Sequence, residues 1–158
     1  MRTCLVGSEM CIRDRQKGES VMELSGRCYC GDIQYEINGE LQASFQCHCR
    51  ECQYITGGNA NTVMVFSEDD FQFTKGKPSV FARKDLETPV KRFFCDKCGT
   101  GFGSISPSRP GSFIVKVGTL DTPEVFSPDF AIFTCDIKDY HHIPEHLTSF
   151  DKRPPKKN

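Results

Sequence analysis

The sequence predicts an all-β domain, sandwich or barrel-like, made of short strands. Two observations carry this reading. Apolar residues recur at alternate positions in several short runs. Gly and Pro punctuate those runs. Separately, cysteine is abundant, with 10 residues among 158 and no Trp, and most of it falls in tight groups. Length suggests one domain with tails. Apolar residues make up 37%, with 13 Phe, which is lean but sufficient for one small core.

The first fifteen residues stand apart. Leu5 to Arg15 reads LVGSEMCIRDR and shows neither a strand nor a helix period. It resembles the translation of a transposase-type sequencing adapter. Residues 1–15 are therefore read as an assembly scar and set aside, with Cys4 and Cys11. Residues 16–23 are read as a linker or native start, with Met22 a candidate initiator. Glu9, Arg13, Asp14 and Arg15 interrupt any secretory signal.

The strand candidates follow in order. Leu24 to Ile37, carrying GRCYCGDIQYEI, alternates Ile33, Tyr35 and Ile37 against polar residues after a Gly-flanked turn. Asn61 to Phe66 is rich in β formers. Asp70 to Thr74 alternates Phe71 and Phe73, and Gly76 to Pro78 reads as a turn. Val80–Arg83, Lys91–Phe94, Phe102–Ile105, Phe113–Val117 and Phe130–Thr134 complete the set. Helical pieces are expected only at Arg50–Ile55, Thr122–Phe126 and Pro144–Leu147. The domain is placed at 24–150 and a basic, Pro-rich tail at 151–158, read as solvated.

Charge excludes some functions. Twenty basic and 21 acidic residues leave a net charge of -1. A general nucleic-acid binder needs clustered Lys and Arg, so no nucleic-acid partner is expected. No apolar run reaches the roughly 18 residues that would span a bilayer, so no membrane role is expected either. With no export signal, a cytoplasmic location is expected.

Eight cysteines remain, and seven are grouped. Cys28 and Cys30 form C-x-C. Cys95 and Cys98 form C-x-x-C, with Gly99 after it, where a metal-binding turn favours φ > 0. Cys47, Cys49 and Cys52 form C-x-C-x-x-C. Close pairs on tight turns present thiolates to a tetrahedral zinc without straining the chain. Joining Cys28 and Cys30 to Cys95 and Cys98 gives a closed, structural four-thiolate site. Disulfides are the alternative, though C-x-C pairs do not bridge internally with ease. The trio leaves a fourth position free, as at a catalytic zinc. Its alternative is a redox-active or metal-free trio. Cys135, alone on a strand, is expected to be a small buried apolar residue.

These motifs carry a family resemblance. GRCYCGDIQYEI, CHCRECQYITGG, FFCDKCGTGFGS, VGTLD and the closing YHHIPEHLTSF are similar, in order and spacing, to the glutathione-dependent formaldehyde-activating enzymes, a family that includes centromere protein V. The resemblance covers about residues 25 to 153. It implies a small all-β zinc fold of antiparallel strands, often called a β-tent. It implies a structural Zn2+ on Cys28, Cys30, Cys95 and Cys98, and a catalytic Zn2+ on Cys47, Cys49 and Cys52. The implied activity is a carbon–sulfur lyase reaction joining formaldehyde to glutathione, or another small thiol to another aldehyde. The family commonly has Trp near its close, where this chain has Tyr140.

A thiol presented as thiolate beside a carbonyl is chemistry that a three-thiolate zinc suits. Arg50 can attract a substrate carboxylate. His48 and Glu51 sit inside the motif where they can relay protons, but the stronger expectation is that His48 points away from the metal and Glu51 is solvated. His141, His142 and His146 are read as surface or packing residues. The rivals are a non-enzymatic zinc module that recognises a partner, and a thiol redox enzyme. The second would need a reactive cysteine with a resolving partner, and only Cys135 is left over.

Overall fold

A computed structural model describes residues 21–155. The stretch read as an adapter scar, residues 1–15, lies outside the described residues. The first strand, β1 (Val21–Arg27), begins inside the expected linker and pairs antiparallel with β2 (Gln34–Glu40). Along β2, Tyr35 and Ile37 are buried while Glu36 and Asn38 face out, which is the period of a strand with one covered face. β5 (Phe71–Lys75) pairs with the far side of β2 and completes a three-stranded sheet.

A larger sheet packs behind it. Its strands are β3 (Ala43–Cys47), β4 (Asn61–Ser67), β6 (Ser79–Phe81), β7 (Lys91–Phe94), β8 (Gly101–Ile105), β9 (Ser112–Lys116), β10 (Phe130–Ile132) and β11 (Thr148–Phe150). They lie in the order β11-β10-β3-β4-β9-β8-β7-β6. The sheet stays open, so the barrel-like alternative is corrected: two sheets pack face to face. The expected antiparallel pairing also needs one correction. β10 runs parallel to both neighbours, β3 and β11.

β4 explains how one sheet serves two faces. Its run Val63-Met64-Val65-Phe66 is buried throughout. Alternation sends Met64 and Phe66 to the core between the sheets, with Tyr35, Ile37, Phe102 and Phe113. Val63 and Val65 turn to the opposite face and join Ala43, Phe45, Cys47 and Ile132 in a second cluster. Aromatic rings dominate the first core. Tyr35 lies 5.0 Å from Phe71 and 6.0 Å, edge-on, from Phe102.

The VGTLD stretch fastens the small sheet to the large one. The Thr119 hydroxyl donates to the Lys116 carbonyl at 2.9 Å, so it accepts the proton of the Tyr35 phenol at 2.7 Å. Asp121 accepts from Ser25 and pairs with Arg27. Gly26 sits beneath this lock: a Cβ there would lie 2.3 Å from the Tyr35 ring and 2.4 Å from the Thr119 carbonyl.

Helix is as sparse as expected. α1 (Arg50–Thr56) is the only α-helix among the described residues, and ends at Gly57 in the left-handed region, φ 74°. Thr122–Phe126 shortens to a 3-10 turn at Pro123–Val125. Pro144–Leu147 closes a single turn through the Leu147 amide and the Pro144 carbonyl, and forms no helix. β10 stops at Ile132 because Phe133 takes φ 58° and starts a 3-10 turn at Thr134–Asp136. Cys135 lies in that turn and is exposed, not buried on a strand. The tail is not wholly solvated: the Phe133 amide donates to the Lys152 carbonyl at 3.1 Å. No helix among the described residues is long and apolar enough to cross a membrane.

Candidate metal centre

Two cysteine clusters can hold a metal ion. The first joins two similar turns. After β1, the Cys28 amide donates to the Ile33 carbonyl and the Gly31 amide to the Cys28 carbonyl, both at 3.0 Å. After β7, the Cys95 amide donates to the Thr100 carbonyl and the Gly99 amide to the Cys95 carbonyl, both at 2.8 Å. Gly31 and Gly99 take φ 76° and 73°, and the expectation for Gly99 holds.

The sulfurs of Cys28, Cys30, Cys95 and Cys98 all lie within 4.8 Å of one another. Cys28 is 3.4 Å from Cys30, and Cys30 is 3.8 Å from Cys95. Thiolates about 2.3 Å from a tetrahedral zinc stand about 3.8 Å apart, so the donor set fits that ion. It does not form disulfides: each of these cysteines is free. The Thr100 hydroxyl, 3.2 Å from Cys98, leads the effects that push its thiol down to about 6. Lys97 pairs with Asp32 across the two turns.

The second cluster is built where β3 meets α1. Cys47 ends β3, opposite Asn61 of β4 and beside Ile132 of β10. Cys49 caps α1, its sulfur accepting from the Cys52 amide at 3.4 Å. Cys52 lies in the first turn. The three sulfurs lie within 4.8 Å of one another. Hydrogen bonds from Cys47, then Cys52, push the Cys49 thiol down to about 2. The bond to Cys49 leads those that push Cys47 up to about 12, and Cys52 also goes up. Cys49 is thus the thiol of the trio that gives up its proton most readily, and a divalent cation bound there would displace the protons of the other two.

Place in the fold, not burial, distinguishes the clusters, for Cys30 is exposed and Cys98, Cys49 and Cys52 are all half-buried. Cys28, Cys95 and Cys98 belong to the core between the sheets, and Cys47, Cys49 and Cys52 to the cluster on the opposite face. That face opens into a cleft of about 800 Å³, lined by all three sulfur-bearing residues of the trio. Phe45, Val63, Ile114, Phe130 and Ile132 supply its apolar wall. None of the other four cysteines lines it.

The loop between Cys47 and Cys49 is pinned from behind. His48 is fully buried, its amide donating to the Ile132 carbonyl at 2.9 Å. The Gln53 amide donates to the His48 carbonyl at 2.8 Å and to the Asp136 carbonyl at 2.9 Å. The His48 Nδ1 lies 3.1 Å from the Nδ1 of His141. His141 directs Nε2 at the Gly58 carbonyl, 2.8 Å away, which can only accept. Its Nδ1 therefore accepts, and His48 Nδ1 carries the proton. Burial, and then the neighbouring His141, hold the His48 pKa below its ordinary value. His48 Nε2 has no partner among the described residues.

The other site expectations divide. His141 packs, as one of its two readings had it, but its partner was not foreseen. His142 and His146 are exposed. Glu51 is exposed but paired with Arg92 at 2.7 Å. Arg50 lines the cleft, held by the Gln53 carbonyl oxygen at 3.3 Å and the Tyr54 ring at 4.2 Å. Gln53 and Arg92 were not singled out from sequence. Gln53 lies within the CHCRECQYITGG stretch but is not a metal-ligating type, and Arg92 lies outside every motif; the Asp136 carbonyl and Glu51 that they hold are brought near only by the fold.

No curated protein matches the chain in sequence. A crystal structure of a Rhodobacter sphaeroides protein is similar in fold, with a TM-score of 0.51 and 21% identity, covering 61% of this chain and 87% of that one. The family model described as glutathione-dependent formaldehyde-activating enzyme matches residues 23–136, a span that holds both cysteine clusters. That match takes in most of the chain, and with the shared motifs it decides the matter: the chain belongs to the glutathione-dependent formaldehyde-activating enzyme family.

Proposed function

We propose that the chain is a zinc-dependent carbon–sulfur lyase that adds a small thiol, glutathione by family, to formaldehyde and cleaves the adduct in reverse. One observation carries this: the trio Cys47, Cys49 and Cys52 opens on a large cleft, whereas none of the other four clustered cysteines lines it. Cys28, Cys30, Cys95 and Cys98 would hold a structural zinc, and the trio a second zinc that favours thiolate over thiol in a bound substrate.

The reaction is a balanced addition. The thiol sulfur bonds to the carbonyl carbon, the C=O π bond opens, and the thiol proton ends on the new hydroxyl. Nothing is oxidised. The chain's residues set the stage for it. Cys47, Cys49 and Cys52 fix the reacting sulfur's position. Phe45, Phe130 and Ile132 keep that end of the cleft apolar, which strengthens attraction between charges there. His48, Gln53 and His141 act from behind, holding the turn that spaces the three sulfurs.

Cys52→Ser tests this reading. Cys52 is outside the main core, so the variant is expected to keep its fold, lose one of two zinc equivalents and lose glutathione binding. Metal analysis and calorimetry measure both. A zinc-loaded parent that binds no thiol would point instead to the partner-recognition module.

A further inference from the structure

The cleft has an unusual charge distribution. Six arginines occur among the described residues, and five of them line this cleft: Arg50, Arg83, Arg92, Arg109 and Arg153. Eight lysines occur among the same residues and none lines it. Only Glu51 and Asp136 among the lining residues are acidic. In a chain of net charge -1, this sorts guanidinium from ammonium at one place. The chemical difference between the two is the planar fork, which meets a carboxylate through two parallel hydrogen bonds.

Three of the five are already engaged. Arg83 pairs with Asp85 at 2.6 Å, and Arg92 with Glu51 at 2.7 Å. Arg50 is fixed by Gln53 and Tyr54. Arg109 and Arg153 have no carboxylate within ion-pair distance among the described residues. Arg109 is half-buried, with its guanidinium 5.7 Å from the centre of the Phe45 ring. Phe45 and Cys47 are two apart on β3, about 7 Å along the strand, and share a face, so Arg109 and the trio border the same wall of the cleft.

We propose that Arg109, assisted by Arg153, is the specificity element of the cleft and recognises the free carboxylates of an anionic thiol peptide. This rests on the proposed function only for the sulfur end of the ligand. The two cations come from different segments, the β8–β9 turn and the tail, and suit a substrate with two carboxylates.

The test is calorimetry on the zinc-loaded full chain with glutathione, its diethyl ester and S-methylglutathione. Arg109→Gln is expected to weaken glutathione about tenfold, the loss of one charge-assisted contact, and to leave the ester unchanged. Arg153→Gln is expected to act the same way more weakly, and Arg109→Lys to recover part of the loss. S-methylglutathione, whose sulfur is blocked, is expected to bind less tightly yet keep its sensitivity to Arg109→Gln. If it binds as tightly as glutathione and keeps that sensitivity, the carboxylate element stands and the thiol site falls. Equal binding of glutathione and its ester by the parent overturns the proposal. So does an Arg109→Gln loss shared equally by the ester, or no binding of either free-carboxylate peptide.

Discussion

Thr100 shows how a single residue conditions a candidate metal ligand. Its hydroxyl holds the Cys98 thiol down near 6, so at neutral pH a metal meets a thiolate there and displaces no proton. Removing the hydroxyl raises the Cys98 pKa, protons then compete at higher pH, and zinc leaves earlier on acidification. Thr100→Val is therefore expected to shift the acid midpoint of zinc release upward, as followed with a chromogenic chelator. An unmoved midpoint would show that Thr100 does not tune the ligand. Gln53 makes the same point for packing. Gln53→Ala leaves two carbonyls, those of His48 and Asp136, without their donor in a buried site. The expected loss is about 2–4 kcal/mol in urea unfolding. Some of this was legible from sequence. Gly99 after C-x-x-C announced its left-handed turn, because only local geometry was involved. The His48–His141 pair joins residues 93 apart, and no local pattern reports it.

Elements were readable where one strand's own burial set its pattern. β4 showed as an unbroken apolar run because both its faces are covered, and β5 as alternating Phe because one is. β11 was not seen. Thr148 and Ser149 are exposed, and its strand character comes only from parallel pairing with β10. β3 was missed because Ser44, a polar residue, is buried there, held by the Ser127 carbonyl and Asp129. The two cysteine-bearing turns, as candidate metal ligands, are the elements on which stability is expected to depend. They link the β1–β2 connection to the β7–β8 connection, with Cys30 and Cys95 65 residues apart. Structural zinc binds with an apparent energy on the order of 10 kcal/mol in zinc-finger peptides, as large as the whole stability of many domains. Cys95→Ser is expected to abolish the cooperative thermal transition in circular dichroism. A parent-like transition would show the closed site to be dispensable.

The whole molecule divides its labour between the two faces of its large sheet. One face carries the aromatic core, the VGTLD lock and the four-cysteine cluster, all of which fasten the small sheet. The other carries the smaller cluster, the cysteine trio and the cleft. The seven clustered cysteines, and their division into four and three, could be read from spacing. The cleft could not, because its walls come from β3, β9, β10, the β6–β7 loop and the tail, which only the folded chain assembles. In the proposed function, thiol meets aldehyde at the trio. Exchange spectroscopy by NMR, on glutathione and formaldehyde at equilibrium with their adduct, measures it most directly. The zinc-loaded parent is expected to accelerate interconversion well above the uncatalysed rate, and Cys52→Ser to return it to that rate while keeping the structural zinc. Acceleration that survives in Cys52→Ser would contradict the account, as would a zinc-loaded parent that gives none.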